Sequence, residues 1–177
     1  MIYRFRIISD ENKEFARELL IGGEHTFLDF HHCLQENLNY DPKQLASFFI
    51  TNAAWEKKLQ ITLMDMMDDE SDNVLIMENE TIGDHISEEG QRLLYVFDFF
   101  SERSFFMELT DILDAKEVNP LPRIVFSHGD PPEQIDLGLE PLGIDDENFD
   151  DDFSSESFDE DFPEDMDYFD TDDFPDN

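Results

Sequence analysis

The side chains best suited to chemistry fall in one short segment. They are His25, His31, His32 and Cys33. If this segment is helical, Asp29 shares a face with His32 and Cys33 at positions i, i+3 and i+4, close enough to hold one metal ion. A zinc site needs a third and usually a fourth ligand, however, and the remaining candidates His85 and His128 lie far off in the sequence with no template spacing. We therefore predict neither a metal ion nor another cofactor.

A competing interpretation makes the same segment structural. In it Phe30, Cys33 and Leu34 line a hydrophobic core, while His31 and His32 cover the edge of that core. Cys33 beside a histidine of its own helix also lacks the geometry of a nucleophile activated by a separate base. We favour this interpretation and predict no catalytic residue.

One acid stands out because of its surroundings. After Arg92, the run to residue 100 is apolar on both faces except for Asp98, a pattern typical of a central strand. A carboxylate there must find a partner, shift its pKa upward or lie at the edge of the sheet. We expect Asp98 to accept hydrogen bonds from a turn or from an arginine. The catalytic alternative is a degenerate or cryptic metal-dependent hydrolase that uses His31, His32 and Asp98.

The charge of the chain argues against several classes of partner. Its 177 residues include 46 acidic and 11 basic side chains, for a formal net charge of −35. Nucleic acids and anionic membranes are bound through Lys and Arg, so we expect no direct binding to either. The single cysteine cannot form an internal disulfide and fits a reducing compartment. Because the sequence shows neither a signal-peptide core nor an apolar run of membrane-spanning length, we expect a cytoplasmic protein.

The acidic residues are concentrated at the C-terminus. Residues 145–177 hold 17 of the 46 acids and contain no Lys, Arg, Leu, Ile, Val or Ala. Ordering a chain costs about 1 to 2 kcal/mol per residue, and this segment has too little apolar surface to offset that cost. We therefore predict a disordered acidic tail over residues 145–177 and a globular domain, with a net charge of −18, over residues 1–144.

Aromatic residues recur within the acidic tail. The first four are Phe149, Phe153, Phe158 and Phe162. Their spacings would place them on one side of a helix if a partner induced one. This composition is typical of an interaction tail. The alternative, of equal weight, is a solubilising tail whose rings have no ligand.

Alternating apolar and polar residues predict strands in the domain. Residues 3–7 and 105–109 both alternate, and the polar turn 101–104 joins the second run to residues 92–100 as a hairpin. Residues 15–21 fit either a strand or a helix. Further short strands are expected at residues 59–63, 74–77 and 123–126.

Two helices are expected between these strands. Thr26 and Asp29 resemble a capping box, followed by apolar residues at helical spacing. A second helix is predicted to begin at Asp41–Pro42, with Leu45 and Phe48 facing inward. Strands at both ends of the domain with helices between them indicate an α+β fold. Its sheet should be largely antiparallel, with the helices packed on one face.

The densest basic residues of the domain are three arginines near its start. Arg4, Arg6 and Arg17 would form one positive strip if the strands that carry them are neighbours. The acidic tail could then fold back onto this strip as a dynamic contact screened by salt.

Four segments carry a resemblance to a known family. Residues 27–34 include His31 in a helical pattern, residues 39–48 begin Asn-Tyr-Asp-Pro, residues 95–99 read Tyr-Val-Phe-Asp-Phe, and residues 131–133 are Pro-Pro-Glu. In this order, over about residues 1–140, they resemble a bacterial family named after the third open reading frame of a root-inducing plasmid. Some of its members are called insertion-element passenger proteins. The resemblance implies a sheet with helices and an association with mobile elements, but no reaction, and it favours a strand over residues 15–21.

The chain departs from this family at polar positions. After Phe99 the family continues Gly-Asp-x-Trp-x-His, whereas residues 100–105 contain no Gly, Trp or His. Gln44 and Gln134 stand where the family tends to have His and Asp. The resemblance therefore implies that any site built on these groups in relatives is incomplete in this chain.

We therefore expect a non-enzymatic cytosolic interaction module whose acidic tail engages a basic protein partner or shields the domain. A further hypothesis is DNA mimicry, in which carboxylates stand in for phosphates in the groove of a nucleic-acid-binding protein. Mimicry would require ordered carboxylates at phosphate-like spacing, which a disordered tail does not provide. Neither the identity of the partner nor the oligomeric state follows from the sequence.

Overall fold

Short runs of alternating side chains build a central β-sheet. The computed structural model describes residues 1–64, 74–114 and 120–135, all within one unit, Met1–Gly138. Its strands are β1 (Ile2–Ser9), β2 (Ala16–Gly22), β3 (Ser47–Thr51), β4 (Lys57–Thr62), β5 (Val74–Ile76), β6 (Arg92–Asp98), β7 (Arg103–Leu113) and β8 (Arg123–His128). Its helices are α1 (Phe27–Leu38) and α2 (Ile82–His85).

The order of the strands in the sheet differs from their order in the chain. It runs β5-β4-β3-β6-β7-β1-β2-β8, and six of the seven pairings between the described strands are antiparallel. Only β4 and β5 pair in parallel. The fold is thus a mostly antiparallel sheet with two helices.

The two faces of the sheet differ in chemistry, as β1 shows. Phe5 is fully buried and its ring centroid lies 5.1 Å from that of Phe30 in α1, so this side, the inner face, is the one that α1 covers. Arg4 and Arg6 alternate with the buried residues and therefore lie on the opposite, outer face. The alternating residues of β1 thus point in turn to the inner and the outer face of the sheet.

Aromatic rings fill the space between α1 and the inner face. The ring centroid of Phe30 also lies 5.1 Å from that of Phe48 in β3. Tyr95 of β6 continues the cluster at 4.7 Å from Phe48, and Phe105 of β7 stacks at 6.4 Å from Tyr95. Since each fully buried side chain of this size contributes about 1.5 to 3 kcal/mol, this cluster is the principal hydrophobic contribution to the fold.

The start and end of α1 are defined by specific backbone interactions. The hydroxyl of Thr26 accepts a hydrogen bond from the amide of Asp29 at 3.2 Å, and the Asp29 carboxylate accepts one from the amide of Thr26 at 2.9 Å. This confirms the predicted capping box. Asn39 ends the helix in the left-handed conformation, with φ of 56°. The buried residues of α1 are Phe27, Phe30, His31, Leu34, Gln35 and Leu38.

The predicted second helix at Asp41–Pro42 is wrong. The Asp41 carboxylate instead accepts a hydrogen bond from the amide of Lys43 at 3.0 Å, which makes a turn, and the chain then enters β3. Leu45 and Phe48 were placed at helical spacing, but the run of aromatic and β-branched residues in β3 favours a strand. The segment forms a strand rather than a helix because its backbone pairs with both β4 and β6.

Most of the other predicted elements are confirmed. Residues 15–21 fall on strand β2, as the resemblance implied, and β6 and β7 form the predicted hairpin at the centre of the sheet. β6 ends at Asp98 rather than at residue 100, so Phe99 and Phe100 lie in the turn. The short strands expected at residues 59–63, 74–77 and 123–126 correspond to β4, β5 and β8.

Several predictions lie outside the described residues. They are the domain boundary after residue 144, the disordered tail over residues 145–177 and its aromatic residues, and the DNA-mimicry hypothesis that depends on that tail.

We predict that Thr26→Ala lowers the free energy of unfolding by about 1 kcal/mol, because the Asp29 amide loses its acceptor at the start of α1. Urea titrations followed by circular dichroism measure the change, and the slope of the transition should stay the same. Thr26→Ser keeps the acceptor and should be as stable as the wild type. Equal stability of the Ala and Ser variants would contradict this role of the cap.

Candidate functional site

His31, the histidine of the family pattern, is buried and is hydrogen-bonded to Tyr95, which belongs to another segment of that pattern. Its Nδ1 lies 2.7 Å from the hydroxyl of Tyr95, which also accepts a hydrogen bond from the amide nitrogen of Gln35. All three side chains are buried. The Gln35 nitrogen can only donate, so the Tyr95 oxygen accepts from it; when His31 carries its proton on Nε2, the Tyr95 hydroxyl donates to Nδ1. This chain of hydrogen bonds links α1 to β6.

The surroundings of His31 favour its neutral form. Burial lowers the pKa of His31 to about 4, and the neighbouring His32 lowers it further. An interaction with the backbone of Pro42 opposes the shift, and since proline has no N–H, the group involved is its carbonyl. Burial likewise raises the pKa of the Tyr95 hydroxyl. The His31–Tyr95–Gln35 cluster is therefore uncharged at neutral pH. Its two hydrogen bonds involve the Tyr95 hydroxyl, whereas His31 Nε2 and Gln35 Oε1 have no hydrogen-bond partner among the described residues.

The residues of the proposed metal face have other roles. The Asp29 carboxylate is part of the cap of α1, and His32 is exposed. Burial, with a contribution from Glu36, raises the pKa of the Cys33 thiol to about 11, which leaves little reactive thiolate at neutral pH. Among the residues that the structure describes, no three His, Cys, Asp or Glu side chains come together as metal ligands would.

The expected strip of three arginines is wrong, although β1 and β2 are neighbours. Ile7 pairs with Arg17, which places Arg17 on the inner face, whereas Arg4 and Arg6 lie on the outer face. A one-residue difference in register inverts the side of the sheet on which a residue lies.

Arg17 has a structural role on the inner face. Its guanidinium donates to the side chain of Asn37 in α1 at 2.9 Å and to the carbonyls of His128 and Gly129 at 2.7 and 3.0 Å. It also lies over the ring of Phe15 at 4.5 Å. Arg17 thus joins α1 to the end of β8.

Asp98 is engaged in the way expected from the sequence. Its Oδ1 accepts hydrogen bonds from the amides of Phe100 and Ser101 at 3.0 and 3.3 Å. Its Oδ2 lies 3.7 Å from the guanidinium of Arg103, which is held by Glu11 through two hydrogen bonds of 2.7 and 3.0 Å. These contacts raise the pKa of Arg103, chiefly through Glu11. Asp98 therefore closes a turn, and it shares no contact with His31 or His32.

A cleft of about 140 Å³ opens beside Asp98, and we call it the Asp98 cleft. It lies at the end of the sheet where β6 turns into β7. Phe100 at its rim is fully exposed, and Leu45 and Ile135 are more than a third exposed. The residues that line it are Gln44, Leu45, Phe97, Asp98, Phe99, Phe100, Gln134 and Ile135.

Two segments that are distant in sequence are joined to form one wall of this cleft. The side chain of Gln134 donates to the carbonyl of Asp41 at 3.0 Å and accepts from the amide of the same residue at 2.7 Å. The hydroxyl of Tyr40 donates to the carbonyl of Pro132. The Asn-Tyr-Asp-Pro and Pro-Pro-Glu segments of the family pattern thus meet beside Asp98. Gln44 and Gln134, the two departures from that pattern, both line the cleft.

Carboxylates outnumber basic side chains at the end of the sheet that carries the Asp98 cleft. The register of the strands brings the β1–β2 turn, the β6–β7 turn and the segment after β8 to this end of the sheet. Basic residues here are Lys13, Arg17, Lys43 and Arg103, of which Arg17 is buried and Arg103 is bound to Glu11. The acidic residues at this end are Asp10, Glu11, Glu14, Asp41, Asp98, Glu102, Asp130 and Glu133.

Sequence reasoning missed the three exposed apolar residues of the cleft, Leu45, Phe100 and Ile135. A signal existed for Phe100, because the strand pattern is interrupted at Asp98 and apolar residues before a turn are often left outside the sheet. No local signal could have found Leu45 and Ile135, since only tertiary structure brings them to Phe100.

The fold and the cleft define a class of protein. It has a mostly antiparallel sheet, one long helix on the inner face, and a cleft formed where the motif segments meet. The chain belongs to the family described as plasmid pRiA4b ORF-3-like protein, which it matches over residues 1–141.

The fold is similar to that of a solved structure. It is the crystal structure of MM3350, a protein of unknown function from Methanosarcina mazei Go1, with a TM-score of 0.56 and 19% sequence identity. The match covers 71% of this chain and 68% of that chain. No curated protein matches the chain. Within the described residues, no helix has the length and apolarity needed to cross a bilayer.

We predict that His31 makes the stability of the protein depend on pH. Because its pKa is about 4 in the folded state and 6.5 without the fold, only the unfolded chain takes up a proton between these values. The stabilisation is complete above pH 6.5 and falls by about 3 kcal/mol as the pH drops to about 4.

Urea titrations between pH 7.5 and 4 test this prediction. His31→Gln should remove the contribution of one titrating group from the pH dependence, whereas His32→Gln, at an exposed position, should retain it. Identical pH dependence in the wild type and the His31 variant would contradict the assignment.

Proposed function

We propose that the protein is a non-enzymatic interaction module that binds a basic protein partner at the Asp98 cleft. The observation that carries this proposal is the full exposure of Phe100 beside Leu45 and Ile135, around a cleft of about 140 Å³. Grouped apolar side chains on a surface otherwise rich in charge are typical of interaction sites. An aromatic ring in such a group is a common anchor of binding energy.

The charges around the cleft select the kind of partner. Asp41, Glu102 and Glu133 are exposed in the segments that form or flank it. A peptide with one large apolar residue between Lys or Arg side chains would bury that residue against Phe100 and place its cations near these carboxylates. The −35 charge of the chain would also accelerate the approach of such a partner.

The acidic tail adds to this role. Residues 145–177 carry 17 carboxylates and the four phenylalanines Phe149, Phe153, Phe158 and Phe162. The carboxylates attract the basic partner over long range, and the phenylalanines contact it once it is bound. The tail thus serves mainly the rate of association, and the cleft serves the lifetime of the complex.

Selection from a random peptide library with the full-length protein as bait tests the cleft. We expect enriched peptides to contain one large apolar residue flanked by Lys or Arg, and their affinity to fall as salt is added. Phe100→Ser should weaken the binding of a selected peptide at least tenfold, since burial of a phenylalanine contributes about 1.5 to 3 kcal/mol.

Phe126→Ser is the matched control, because Phe126 is an exposed phenylalanine on β8 and does not line the Asp98 cleft. Its affinity for the peptide should equal that of the wild type. Enrichment of peptides without basic residues, or full affinity in the Phe100 variant, would refute the proposal.

Removal of residues 145–177 tests the tail. At low salt we expect the shortened chain to bind the selected peptide with an association rate at least tenfold lower, as followed by stopped-flow fluorescence. A full-length variant with serine at all four phenylalanine positions keeps the charge, so it should associate normally but dissociate faster. An unchanged association rate in the shortened chain would contradict a role of the tail in binding.

A further inference from the structure

The outer face of the sheet combines exposed apolar residues with charges of both signs. Ile8 of β1 is 42% exposed and pairs with Phe106 of β7. Trp55, from the turn between β3 and β4, packs edge-on against Phe106 with ring centroids 4.9 Å apart. A cleft of about 190 Å³ remains beside these three side chains, also lined by Arg6 and Glu108.

The backbone holds Trp55 over this face at some cost. Its φ of 64° lies in the left-handed region, which is strained for a bulky residue. The guanidinium of Arg92 lies over its ring at 4.9 Å and also bonds to the carboxylate of Glu108 at 3.1 Å. Trp55 is thereby fixed beside the apolar residues of the outer face.

Charges alternate in sign in a row across four adjacent strands of this face. Arg92 of β6 pairs with Glu108 of β7, Glu108 with Arg6 of β1, and Arg6 with Glu18 of β2. Arg6 and Glu18 have no ion-pair partner within the ranges that the structure describes. If this row is reversed end to end and laid over itself, each charge faces a charge of the opposite sign.

This symmetry fits a second copy of the chain. In a face-to-face dimer, a two-fold axis parallel to the strands and between β7 and β1 places β7 over β1 and β6 over β2 of the other copy. Glu108 then faces Arg6, and Arg92 faces Glu18, in both halves of the interface.

The same axis matches the remaining residues of the two central strands. Arg4 pairs with Asp111 across β1 and β7, with 3.5 Å between their charged groups, so each faces the other again in the second copy. Ile8 and Phe106 face one another in the same way, which brings apolar side chains together at the centre. The four charged residues of the row and the Arg4–Asp111 pair are therefore all matched with opposite charges.

The outer face also has the net charge that a dimer requires. The face is electrically balanced on β1, β2, β6 and β7, whereas the chain as a whole carries −35. Two such acidic molecules would repel each other least here.

We infer that the protein forms a symmetric homodimer through the outer face of its sheet. The two Asp98 clefts then lie at the end of the sandwich formed by the two sheets, since they open at the ends of the strands rather than on the outer face. The dimer is independent of the proposed binding to a basic partner.

Sedimentation equilibrium of the full-length chain over a concentration series tests this inference. The wild type should form a species of twice 20.8 kDa. Arg6→Glu and Glu108→Arg should each weaken the dimer at least tenfold, because each variant places like charges opposite one another at two positions. Lys43→Glu makes the same change in net charge as Arg6→Glu, at an exposed position in the turn before β3, and should dimerise as the wild type does.

An equimolar mixture of the Arg6→Glu and Glu108→Arg variants is the decisive sample. In a mixed dimer both contacts between positions 6 and 108 join opposite charges, so dimerisation should return. A structural defect in either variant would not be repaired by mixing. A wild type that remains monomeric up to millimolar concentration, single variants that dimerise fully, or a mixture that stays monomeric would each overturn the inference.

Discussion

The fold depends on the burial of one face of α1 against the inner face of the sheet. Phe30 contacts both Phe5 and Phe48, and thereby holds two strands that lie on opposite sides of the β6–β7 hairpin. Burial on this scale also encloses polar groups, which must then be hydrogen-bonded. Within the same contact, His31 and Gln35 both form hydrogen bonds to the Tyr95 hydroxyl, while His31 Nε2 and Gln35 Oε1 have no hydrogen-bond partner among the described residues. The burial of the tyrosine hydroxyl thus depends on two polar side chains of α1.

Local patterns were sufficient for those elements whose side chains repeat with a clear period. The alternation in β1 and the capping box at Thr26 identified their elements directly. β3 was mistaken for a helix, because two apolar residues at helical spacing carry less information than pairing with two neighbouring strands. The arginine strip failed for a similar reason, since the side of the sheet occupied by Arg17 depends on register rather than on sequence distance.

The candidate site could be predicted only in part. The partners of Asp98 followed from the cost of burying a carboxylate, and the turn amides and Arg103 supply them. The cleft beside it could not be found, because its walls come from segments about 90 residues apart that are joined by Gln134. The family pattern marked those segments as a set, and their convergence at one end of the sheet explains why they occur together. Gln44 and Gln134, where the resemblance implied departures from the family pattern, also line the cleft.

The order of the strands has a consequence for the synthesis of the protein. The β6–β7 hairpin lies between β3 and β1, although both of those strands leave the ribosome first. Until the hairpin emerges, the described strands of the nascent chain can form only the β1–β2, β3–β4 and β4–β5 pairs. β1 and β3 then each keep an unpaired edge where the hairpin will later insert. Folding is thus governed by contacts between residues far apart in the sequence, which are slow to form. During that interval the exposed edges would make the nascent chain a substrate for chaperones.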